Sequence, residues 1–322
     1  MSIVVTGGAG FIGSCIVASL NARGVEDVII VDNIATTSKW LNIRNKKYLE
    51  YVHKAAFLEK LAEYEGITAI IHMGAQSATT ELDFDYLWRN NFDYTRTLWN
   101  YCADKQIPFL YASSAATYGD GEAGFDDAMD IEQLMPLNGY GYSKQMFDLW
   151  VRNQATKFPP QHVGLKFFNV YGPNEYFKGS MASMVFHGYH QIQDTGCIRL
   201  FKSCNPDYKD GEQLRDFVYV KDICNVIMWL LDHPSVSGLF NVGTGQAESF
   251  RSLAENTFRA LGLEPNIEYI DMPDKLKAKY QYYTQASMKK LREAGYDRSF
   301  YTLQEGVFDY VQNYLSKDDR IY

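Results

Sequence analysis

Residues 6–13 read T-G-G-A-G-F-I-G, and this run limits the fold of the 322-residue chain more than any other. It lies between the β-branched run Ile3–Thr6 and a segment, 9–23, whose pattern predicts a helix. Three glycines suit three tasks there: a tight turn, a close approach of backbone to a pyrophosphate, and close packing of helix on sheet. These glycines are Gly7, Gly10 and Gly13. The spacing therefore predicts a strand–turn–helix that binds a dinucleotide.

Asp32 closes the second predicted strand, about 20 residues beyond the glycines, where a carboxylate can bind the 2′-hydroxyl of an adenosine ribose. Hydroxyl binding favours NAD. Lys39 and Lys54 follow nearby in the sequence, and a cation at that rim favours the 2′-phosphate of NADP instead. These residues alone leave the choice open.

Short apolar runs alternate with helical patterns along the first half of the chain. The predicted strands are Ile3–Thr6, Val28–Val31, Ala69–His72, Phe109–Ser113 and His162–Phe168, and the predicted helices are 9–23, Ala56–Tyr64, Phe92–Lys105 and Gly141–Lys157. In the second half we predict strands at Phe217–Val220 and Leu239–Val242 and helices at Ser249–Leu261 and Leu303–Leu315. Such alternation predicts an α/β fold with a Rossmann-type, doubly wound parallel sheet.

The less regular second half predicts a smaller, mixed α/β substrate domain packed on the first. We assign residues 1–168, with about 217–246, to the dinucleotide-binding domain, and 169–216 with 247–322 to the substrate domain. A division of this kind would place a cleft between the carboxyl edge of the sheet and the second domain.

Composition narrows the class of protein. With 46% hydrophobic residues the chain can bury a large core, and a net charge of −8 without a basic block argues against nucleic acid or an anionic membrane as partner. No apolar run reaches the roughly 18–20 residues of a membrane span. The N-terminus lacks the pattern of a signal peptide. Five widely spaced cysteines without C-x-x-C predict reduced thiols, no metal site and a cytoplasmic location.

A serine-rich run and a Tyr–Lys pair follow the predicted fourth strand. S-S-A-A-T-Y-G at 113–119 comes at the carboxyl end of that strand, where doubly wound sheets bind ligands. Tyr140 and Lys144 are four residues apart and share one helix face. A nearby ammonium would lower the pKa of Tyr140 and make it a general base, with Ser114 bonded to a substrate hydroxyl or its oxidised carbonyl. Tyr142 faces elsewhere, for packing or substrate contact.

The chain resembles the extended short-chain dehydrogenase/reductases along nearly its whole length. The motifs that carry the resemblance are T-G-G-A-G-F-I-G, S-S-A-A-T-Y-G, Y-G-Y-S-K at 140–144, F-N-V-Y-G-P at 168–173, R-D-F-V-Y-V-K-D at 215–222 and N-V-G-T-G at 241–245. The resemblance implies a nicotinamide cofactor and a nucleotide-activated sugar as substrate.

Four further segments resemble one family, the ADP-L-glycero-D-manno-heptose 6-epimerases. They are H-M-G-A-Q-S-A-T-T-E at 72–81, N-E-Y-F-K-G-S-M-A-S at 174–183, Q-A-E-S-F at 246–250 and P-D-K-L-K-A-K-Y-Q at 273–281. That family inverts C6 of the heptose: hydride leaves to NADP⁺, the 6-ketone turns over in the site, and hydride returns to its other face. The resemblance implies a cytoplasmic isomerase of lipopolysaccharide core biosynthesis that forms homo-oligomers, often pentamers.

Lys178 lies in a polar loop, where a lysine is ordinarily a solvated surface group. The resemblance implies a catalytic role, because the two poses of the ketone present the oxygen to different sides of the pocket and Tyr140 cannot easily serve both. Lys178 matches the family's second acid/base group and needs a pKa lowered by desolvation or neighbouring cations. The implied catalytic residues are Tyr140, Lys178, Lys144 and Ser114.

Residues that match the family's motifs by position are also implied to contact the cofactor and the substrate. The cofactor contacts are Gly7, Gly10, Phe11, Ile12, Gly13, Asp32, Asn33, Lys39, Lys54, Met73, Gly74, Ala75, Gln76, Ser77, Asn90, Lys144, Val170 and Lys178. The substrate contacts are Asn169, Ser180, His187, Phe201, Lys202, Ser203, Cys204, Arg215 and Tyr280. Lys39 and Lys54 match the family's basic positions, which favours NADP. Arg215 suits a diphosphate or a surface salt bridge. The lysines of 273–279 suit ADP or a solvated helix face.

Two departures and three alternatives remain open from sequence. The loop from Ser203 to Arg215 is longer than the family's, and Gln76 and Ala78 replace smaller or hydroxyl residues. A sugar-nucleotide 4,6-dehydratase needs an acidic pair just after the serine. Residues 115–117 read A-A-T instead, which counts against that alternative. A UDP-hexose 4-epimerase would not need Lys178. A non-catalytic NADP-binding sensor or scaffold commonly lacks the tyrosine or the lysine, and both are present.

Overall fold

The computed structural model of the protein describes residues 1–277 and 280–322. Its strands are β1 Ser2–Thr6, β2 Val28–Asp32, β3 Glu50–His53, β4 Ile67–His72, β5 Phe109–Ser114, β6 His162–Phe167, β7 Asn169–Tyr171, β8 Ile198–Phe201, β9 Leu214–Arg215, β10 Phe217–Tyr219, β11 Gly238–Val242, β12 Glu248–Ser249 and β13 Ile267–Ile270. Its helices are α1 Phe11–Ala22, α2 Lys54–Glu59, α3 Phe84–Leu87, α4 Tyr94–Lys105, α5 Gly139–Arg152, α6 Met184–Thr195, α7 Val220–Asp232, α8 Phe250–Ala260, α9 Asp274–Lys277, α10 Lys289–Glu293 and α11 Leu303–Tyr310. Tighter 3-10 turns include Ser38–Ile43 and Gly179–Met181.

Within the described residues, seven parallel strands form the central sheet in the order β11-β6-β5-β4-β1-β2-β3. The chain runs outward from β1 through β2 to β3, and then outward on the other side through β4. Strand order therefore reverses beside β1, and ligands bind in the crevice that such a reversal opens at the carboxyl ends of strands. The predicted doubly wound fold is confirmed.

Both faces of the sheet are buried, which explains the continuous β-branched runs in the sequence. Val5 and Ile30 lie in one core layer, under α1 and α7, and are fully buried. Val31 and Ile70 lie in the other layer with Trp99 of α4, and are fully buried as well. Each such side chain contributes about 1.5–3 kcal/mol to folding. The two layers hold β1, β4 and β5 rigidly, and these strands carry the site.

Some elements differ from the sequence predictions. Strand β3, with the sequence E-Y-V-H, was not predicted because it is a polar, mostly exposed edge strand. The helix predicted at Gly141–Lys157 ends at Arg152, and the Lys157 carbonyl accepts a hydrogen bond from Trp99 Nε1 instead (3.2 Å). Helix α6 was also missed. The other predicted strands and helices are present with shifted ends.

The second half adds three small two-stranded pairs: β7 with β10, β9 with β12, and β8 with β13. Strand β11, from the second half, joins the central sheet beside β6. The division into two domains stays a prediction. No described helix is both long enough and apolar enough to cross a membrane.

Candidate active site

A cleft of about 550 Å³ opens at the carboxyl edge of the sheet, beside the strand-order reversal. Its walls come from the β1–α1 turn, the ends of β4 and β5, helix α5 and the segment 167–184. A smaller cavity of about 210 Å³ adjoins it on the β2 side. The two share Gly7, Asp32, Lys39, Gly74 and Ala75 in their linings. Together they form an elongated site that suits a dinucleotide and a second ligand.

The glycine turn has the geometry of a phosphate cradle. A Cβ on Gly13 would come 2.1 Å from the Gly7 carbonyl oxygen, so any side chain there would push α1 off the turn. Gly7 has φ +65°, and a Cβ there would come 2.7 Å from the Gly74 nitrogen. Gly10 caps α1, and no described side chain occupies the free N–H groups of its first turn. Those groups and the helix dipole favour a bound anion, so the turn fits a pyrophosphate.

The β2 side of the site carries a buried aspartate between two lysines. Asp32 accepts hydrogen bonds from the Ala9 N–H (2.9 Å) and the Lys39 ammonium (2.6 Å). Lys54 donates to Asn90 Oδ1 (2.5 Å). Burial lowers the pKa of Lys54, Asp32 raises it, and Lys39 lowers it further, so the three charges interact. Two cations against one anion leave this rim positive, and Asp32 is already neutralised by Lys39.

The first wall of the cleft is built from α5 and the end of β5. Tyr140 and Lys144 lie one helical turn apart and both line the cleft with Ser114. Ser114 Oγ accepts the Ala116 N–H (3.1 Å), which leaves its own proton free to be donated towards the cleft. Lys144 is 4% exposed and donates to the Ala112 carbonyl (2.8 Å). The wall thus presents a phenol with a hydroxyl donor beside it.

Burial reverses the expected acidity of the tyrosine. Burial raises the pKa of Tyr140, the hydrogen bond from Ser114 lowers it in part, and the charge of Asp148 raises it. The sequence predicted a lowered pKa from Lys144, and this is wrong because desolvation dominates. Burial also lowers the pKa of Lys144 to about 8, although Asp148 opposes that shift.

A buried polar cluster lies behind this wall. Asp148, one turn after Lys144, accepts hydrogen bonds from Ser113 (2.6 Å) and Tyr111 (3.2 Å) and pairs with Lys166 (3.3 Å). Asp148 and Lys166 are 2% and 1% exposed. The cluster ties α5 to β5 and β6, and so fixes the helix that carries Tyr140 against the sheet.

Asn91 links the cofactor loop to the same helix. Its Oδ1 accepts the Gln76 N–H (2.8 Å), and its Nδ2 donates to the Gln76 carbonyl and to Ser143 Oγ (both 3.0 Å). Ser143 in turn donates to the Tyr140 carbonyl (2.7 Å). The loop 73–77 and the first turn of α5 are therefore held at a fixed separation.

The second wall is the segment 172–183, between β7 and α6. Lys178 is partly buried and lines the cleft, with its ammonium 5.2 Å from the centre of the Phe11 ring. Burial lowers the pKa of Lys178, and the nearby Glu175 raises it. The desolvation that the sequence required for a basic Lys178 is present.

Asn174 anchors this segment to the rest of the molecule. It is fully buried with φ +75°, and its amide donates to Ser14 Oγ on α1 (2.9 Å). Asn42 donates to the Asn174 carbonyl (3.1 Å), and the Tyr322 N–H donates to its side-chain oxygen (3.0 Å). Hydrogen bonds thus join the segment to three distant parts of the chain.

In its described part, the structure brings together all the predicted catalytic and cofactor residues, but only one of the nine predicted substrate contacts. Asn33, Lys54, Gln76 and Asn90 line the smaller cavity, and the other predicted cofactor residues line the larger cleft. Among the predicted substrate contacts, Asn169 lines it as well. As the described residues define the cleft, its lining does not include Ser180, His187, Phe201, Lys202, Ser203, Cys204, Arg215 and Tyr280.

Arg215 lies behind one wall of the cleft rather than in its lining. Its guanidinium is 5.6 Å from the ring centre of Phe250, which does line the cleft, and 5.3 Å from that of Tyr280. It donates to the carbonyls of Leu214 and Gln281. Substrate roles for Arg215 and for the residues around it stay predictions.

Lysines outside the cleft were also predicted to lie near the substrate. Lys202 pairs with Asp271 (3.0 Å) on the surface. The expectation for the lysines of 273–279 falls partly on Ala278, Lys279 and the side chain of Lys275, which lie outside the described residues.

Comparison with known proteins places the chain in a family. The model of the NAD dependent epimerase/dehydratase family matches residues 3–243, which contain the glycine turn, Tyr140 and Lys178. The chain belongs to this family. The ADP-L-glycero-D-manno-heptose-6-epimerase of Fusobacterium nucleatum subsp. nucleatum is 51% identical over 329 residues, which take in 98% of this chain and 99% of that protein. The family expected from the sequence motifs is thereby confirmed.

Solved structures agree with the fold. The ADP-L-glycero-D-manno-heptose-6-epimerase of Helicobacter pylori has a TM-score of 0.79 and 27% identity, covering 97% of this chain and 95% of that one. A UDP-glucose 4-epimerase of Thermus thermophilus in complex with NAD has a TM-score of 0.78 and 27% identity, covering 97% and 98%. Fold likeness and sequence identity are nearly the same for both structures, so they do not separate the two activities. The 51% identity to the Fusobacterium nucleatum protein is what favours the heptose epimerases.

Proposed function

We propose that this chain converts ADP-D-glycero-β-D-manno-heptose into ADP-L-glycero-β-D-manno-heptose by inverting C6. The observation that carries the proposal is a single cleft lined by two acid/base groups, Tyr140 and Lys178, next to a phosphate cradle. The 51% identity to an ADP-heptose epimerase over nearly the whole chain supports the choice of substrate. The enzyme is an isomerase.

The two walls divide the proton work at the C6 oxygen. Tyr140, with Ser114 beside it in the lining, serves the oxygen in one pose of the sugar, and Lys178 serves it in the other. One group removes the hydroxyl proton when C6 is oxidised, and the other returns a proton to the carbonyl oxygen when C6 is reduced. The pair must therefore hold one proton between them at the start of each turnover.

A nicotinamide dinucleotide fits the glycine cradle, and it supplies the hydride acceptor and donor for C6. We propose NADP as the form used, because Lys39 and Lys54 give the adenosine rim a positive charge that suits a 2′-phosphate. Lys54→Met should weaken NADP⁺ binding by tenfold or more and leave NAD⁺ binding within about twofold, since one charged hydrogen bond contributes about 1.5–3 kcal/mol. Equal weakening of both, measured by calorimetry, would assign Lys54 to the protein's own structure.

We also propose the finer assignments that family likeness supports: Arg215 and its neighbours around the ADP moiety, a substrate domain of residues 169–216 and 247–322, a homo-oligomer, a cytoplasmic location and a place in lipopolysaccharide core assembly. These rest on the relatives' sequence likeness.

The decisive experiment mixes purified protein with ADP-D-glycero-β-D-manno-heptose and follows C6 stereochemistry by NMR without added cofactor. Conversion to a mixture of epimers establishes the activity and shows that the cofactor co-purifies and is regenerated in each turnover. No conversion, even with NADP⁺ added, would overturn the heptose assignment. UDP-glucose would then be the next substrate to test, because a UDP-glucose 4-epimerase shares the fold.

A further inference from the structure

Glu175 is a fully buried carboxylate three residues before Lys178. It accepts hydrogen bonds from the Ser183 N–H (2.6 Å), the Ser183 hydroxyl (2.7 Å) and the Gly172 N–H (3.4 Å). We propose that Glu175 is the positioning residue of the second acid/base group, setting both the place and the proton affinity of Lys178. This inference rests on the proposed role of Lys178 in epimerisation.

Glu175 joins the two ends of the segment that carries Lys178. Gly172 is the residue after β7, and Ser183 is the N-cap of α6, so one carboxylate holds both ends of the segment that carries Lys178. Between those ends the backbone makes two successive turns, with Lys178 N–H donating to the Glu175 carbonyl (3.0 Å) and Met181 N–H donating to the Lys178 carbonyl (3.1 Å). The ammonium thus projects from a short turn whose two anchor points meet at Glu175.

The electrostatic role follows from the surroundings of the two groups. Burial lowers the pKa of Lys178, and Glu175 raises it. Burial likewise raises the pKa of Glu175, and Ser183 and then Lys178 lower it. From α11, the phenol of Tyr310 lies against Glu175, although no hydrogen bond of good geometry joins them in the described part of the chain. The other titratable groups of the cleft are Asp32, Lys39, Tyr140 and Lys144.

A neutral cap would serve a purely structural purpose equally well. Ser, Thr, Asn and Asp are the usual residues that satisfy free N–H groups at a helix start, and burying a carboxylate costs free energy that a neutral amide avoids. A buried negative charge near a partly buried ammonium keeps that ammonium able to hold a proton in a site that otherwise favours the neutral amine. Glu175 therefore suits a lysine that must exist in both protonation states.

The sign of the pH effect follows from the proton count. The active pair holds one proton between Tyr140 and Lys178, and Lys178 is the group whose pKa burial lowers while that of Tyr140 is raised. The acidic limb of the kcat/KM profile thus reports mainly Lys178, and the basic limb mainly Tyr140. Removing the Glu175 charge lowers the proton affinity of Lys178, so the acidic limb moves to lower pH.

The test is the pH profile of kcat/KM for C6 epimerisation in Glu175→Gln. Glutamine can keep the Ser183 contacts, because its oxygen accepts the N–H and its amide donates to the hydroxyl. We expect the acidic limb to move down by about one pH unit. Glu305→Gln is the matched control. Glu305 accepts the N–H and the hydroxyl of Thr302, as Glu175 accepts those of Ser183, but at the exposed start of α11. The pH profile of kcat/KM for Glu305→Gln should match that of the unmodified enzyme.

Two further variants separate position from charge. Ser183→Ala removes one donor but keeps the Ser183 N–H on the carboxylate, so its acidic limb should move less than that of Glu175→Gln. Glu175→Asp keeps the charge on a side chain one methylene shorter, which cannot reach both Gly172 and Ser183, so kcat should fall about tenfold with the limb in place. A kcat equal to that of the unmodified enzyme in Glu175→Asp would contradict the positioning role, even where Glu175→Gln does not fold.

Lys178→Met distinguishes failure of this inference from failure of the proposed function. If Lys178→Met is inactive and Glu175→Gln keeps the unmodified limb, the role of Glu175 is wrong and the role of Lys178 stands. If Lys178→Met epimerises at the unmodified rate, the proposed role of Lys178 is wrong and the inference falls with it.

Discussion

The Tyr140 wall and the Lys178 wall each present one acid/base group to the cleft, but by different structural means. Tyr140 and Lys144 project from α5, whose own backbone hydrogen bonds fix their separation. Lys178 projects from the segment 172–183, which side-chain hydrogen bonds to Glu175 and Asn174 hold in place. Regular secondary structure supplies the geometry on one side, and a few buried polar side chains supply it on the other.

The electrostatics of the two walls differ in the same way. Burial raises the pKa of Tyr140 and lowers that of Lys178, because it disfavours a phenolate on one side and an ammonium on the other. A buried carboxylate lies behind each: Asp148 raises the pKa of Tyr140, and Glu175 raises that of Lys178. Asp148 is itself paired with Lys166, whereas Glu175 has Lys178 as its cationic neighbour. The second wall is therefore the more sensitive to single changes of charge.

The largest expected effect is loss of epimerisation in Tyr140→Phe. Removing the phenol oxygen eliminates one acid/base group, and kcat should fall by about 10²–10⁴. Titration with NADP⁺ should show binding within about threefold of the unmodified enzyme, since the turn that cradles phosphate is untouched. Lys178→Met should lose a similar factor if the walls contribute equally. A loss of less than tenfold in either variant, measured by NMR at C6, would leave the other wall as the site of most of the proton transfer.

Asp148→Asn should have the largest effect on stability. It leaves Lys166 charged and unpaired at 1% exposure, and breaking a buried pair costs about 3–5 kcal/mol. The free energy of unfolding in urea measures this cost. Asp232→Asn removes the carboxylate of a half-exposed pair with Arg23 and should cost under about 1 kcal/mol. Equal losses in the two variants would mean that the first wall does not depend on its buried cluster.

Ser114→Ala should move the basic limb of the activity profile upward. The Ser114 hydrogen bond lowers the pKa of Tyr140, so its loss raises that pKa, and the pair then loses its last proton at higher pH. At neutral pH we expect kcat to fall about tenfold, as one hydrogen bond to a charged group is lost. Ser114→Thr, which keeps the hydroxyl, should keep the limb. A shift of the acidic limb in Ser114→Ala would instead mean that Ser114 acts on the pKa of Lys178.

The smallest expected effect separates backbone strain from hydrogen bonding at Asn174. Both Asn174→Ala and Asn174→Gly lose the side-chain bonds to Ser14 and Tyr322. Only alanine also meets the steric cost of φ +75°, so its free energy of unfolding should be lower than that of the glycine variant by about 1 kcal/mol. Equal stabilities would mean that the segment relaxes to another backbone conformation, and that its hold on Lys178 is weaker than the contacts indicate.

Sequence reasoning located the first wall more completely than the second. The pairing of Tyr140 with Lys144 needs only helix periodicity, and the glycine turn needs only its spacing, so both follow from local pattern. Lys178 was reached through family likeness, because nothing in a polar loop indicates that a lysine there is buried. Its desolvation arises from Phe11 and from packing of segments far apart in the chain.

Long-range side-chain contacts account for what the sequence did not predict. Asn91 reaches Ser143 across 52 positions, and Asn174 reaches Ser14 across 160. The direction of the Tyr140 pKa was wrong for a related reason, since the spacing of Tyr140 and Lys144 gives their proximity but not the burial of either. The burial of Glu175 is hidden from the sequence in the same way, because it too lies in a polar loop.

Asp32 is bonded both to the glycine turn and to Lys39, and this double contact limits how cofactor preference can be redesigned. One carboxylate oxygen holds the Ala9 N–H of the glycine turn, and the other holds Lys39 at the adenosine rim. A substitution at Asp32 meant to change selectivity would also loosen the backbone that cradles the pyrophosphate, and both cofactors would bind less tightly. Lys54 contacts Asn90 and not the turn, so a substitution there tests the proposed NADP preference and leaves the cradle intact.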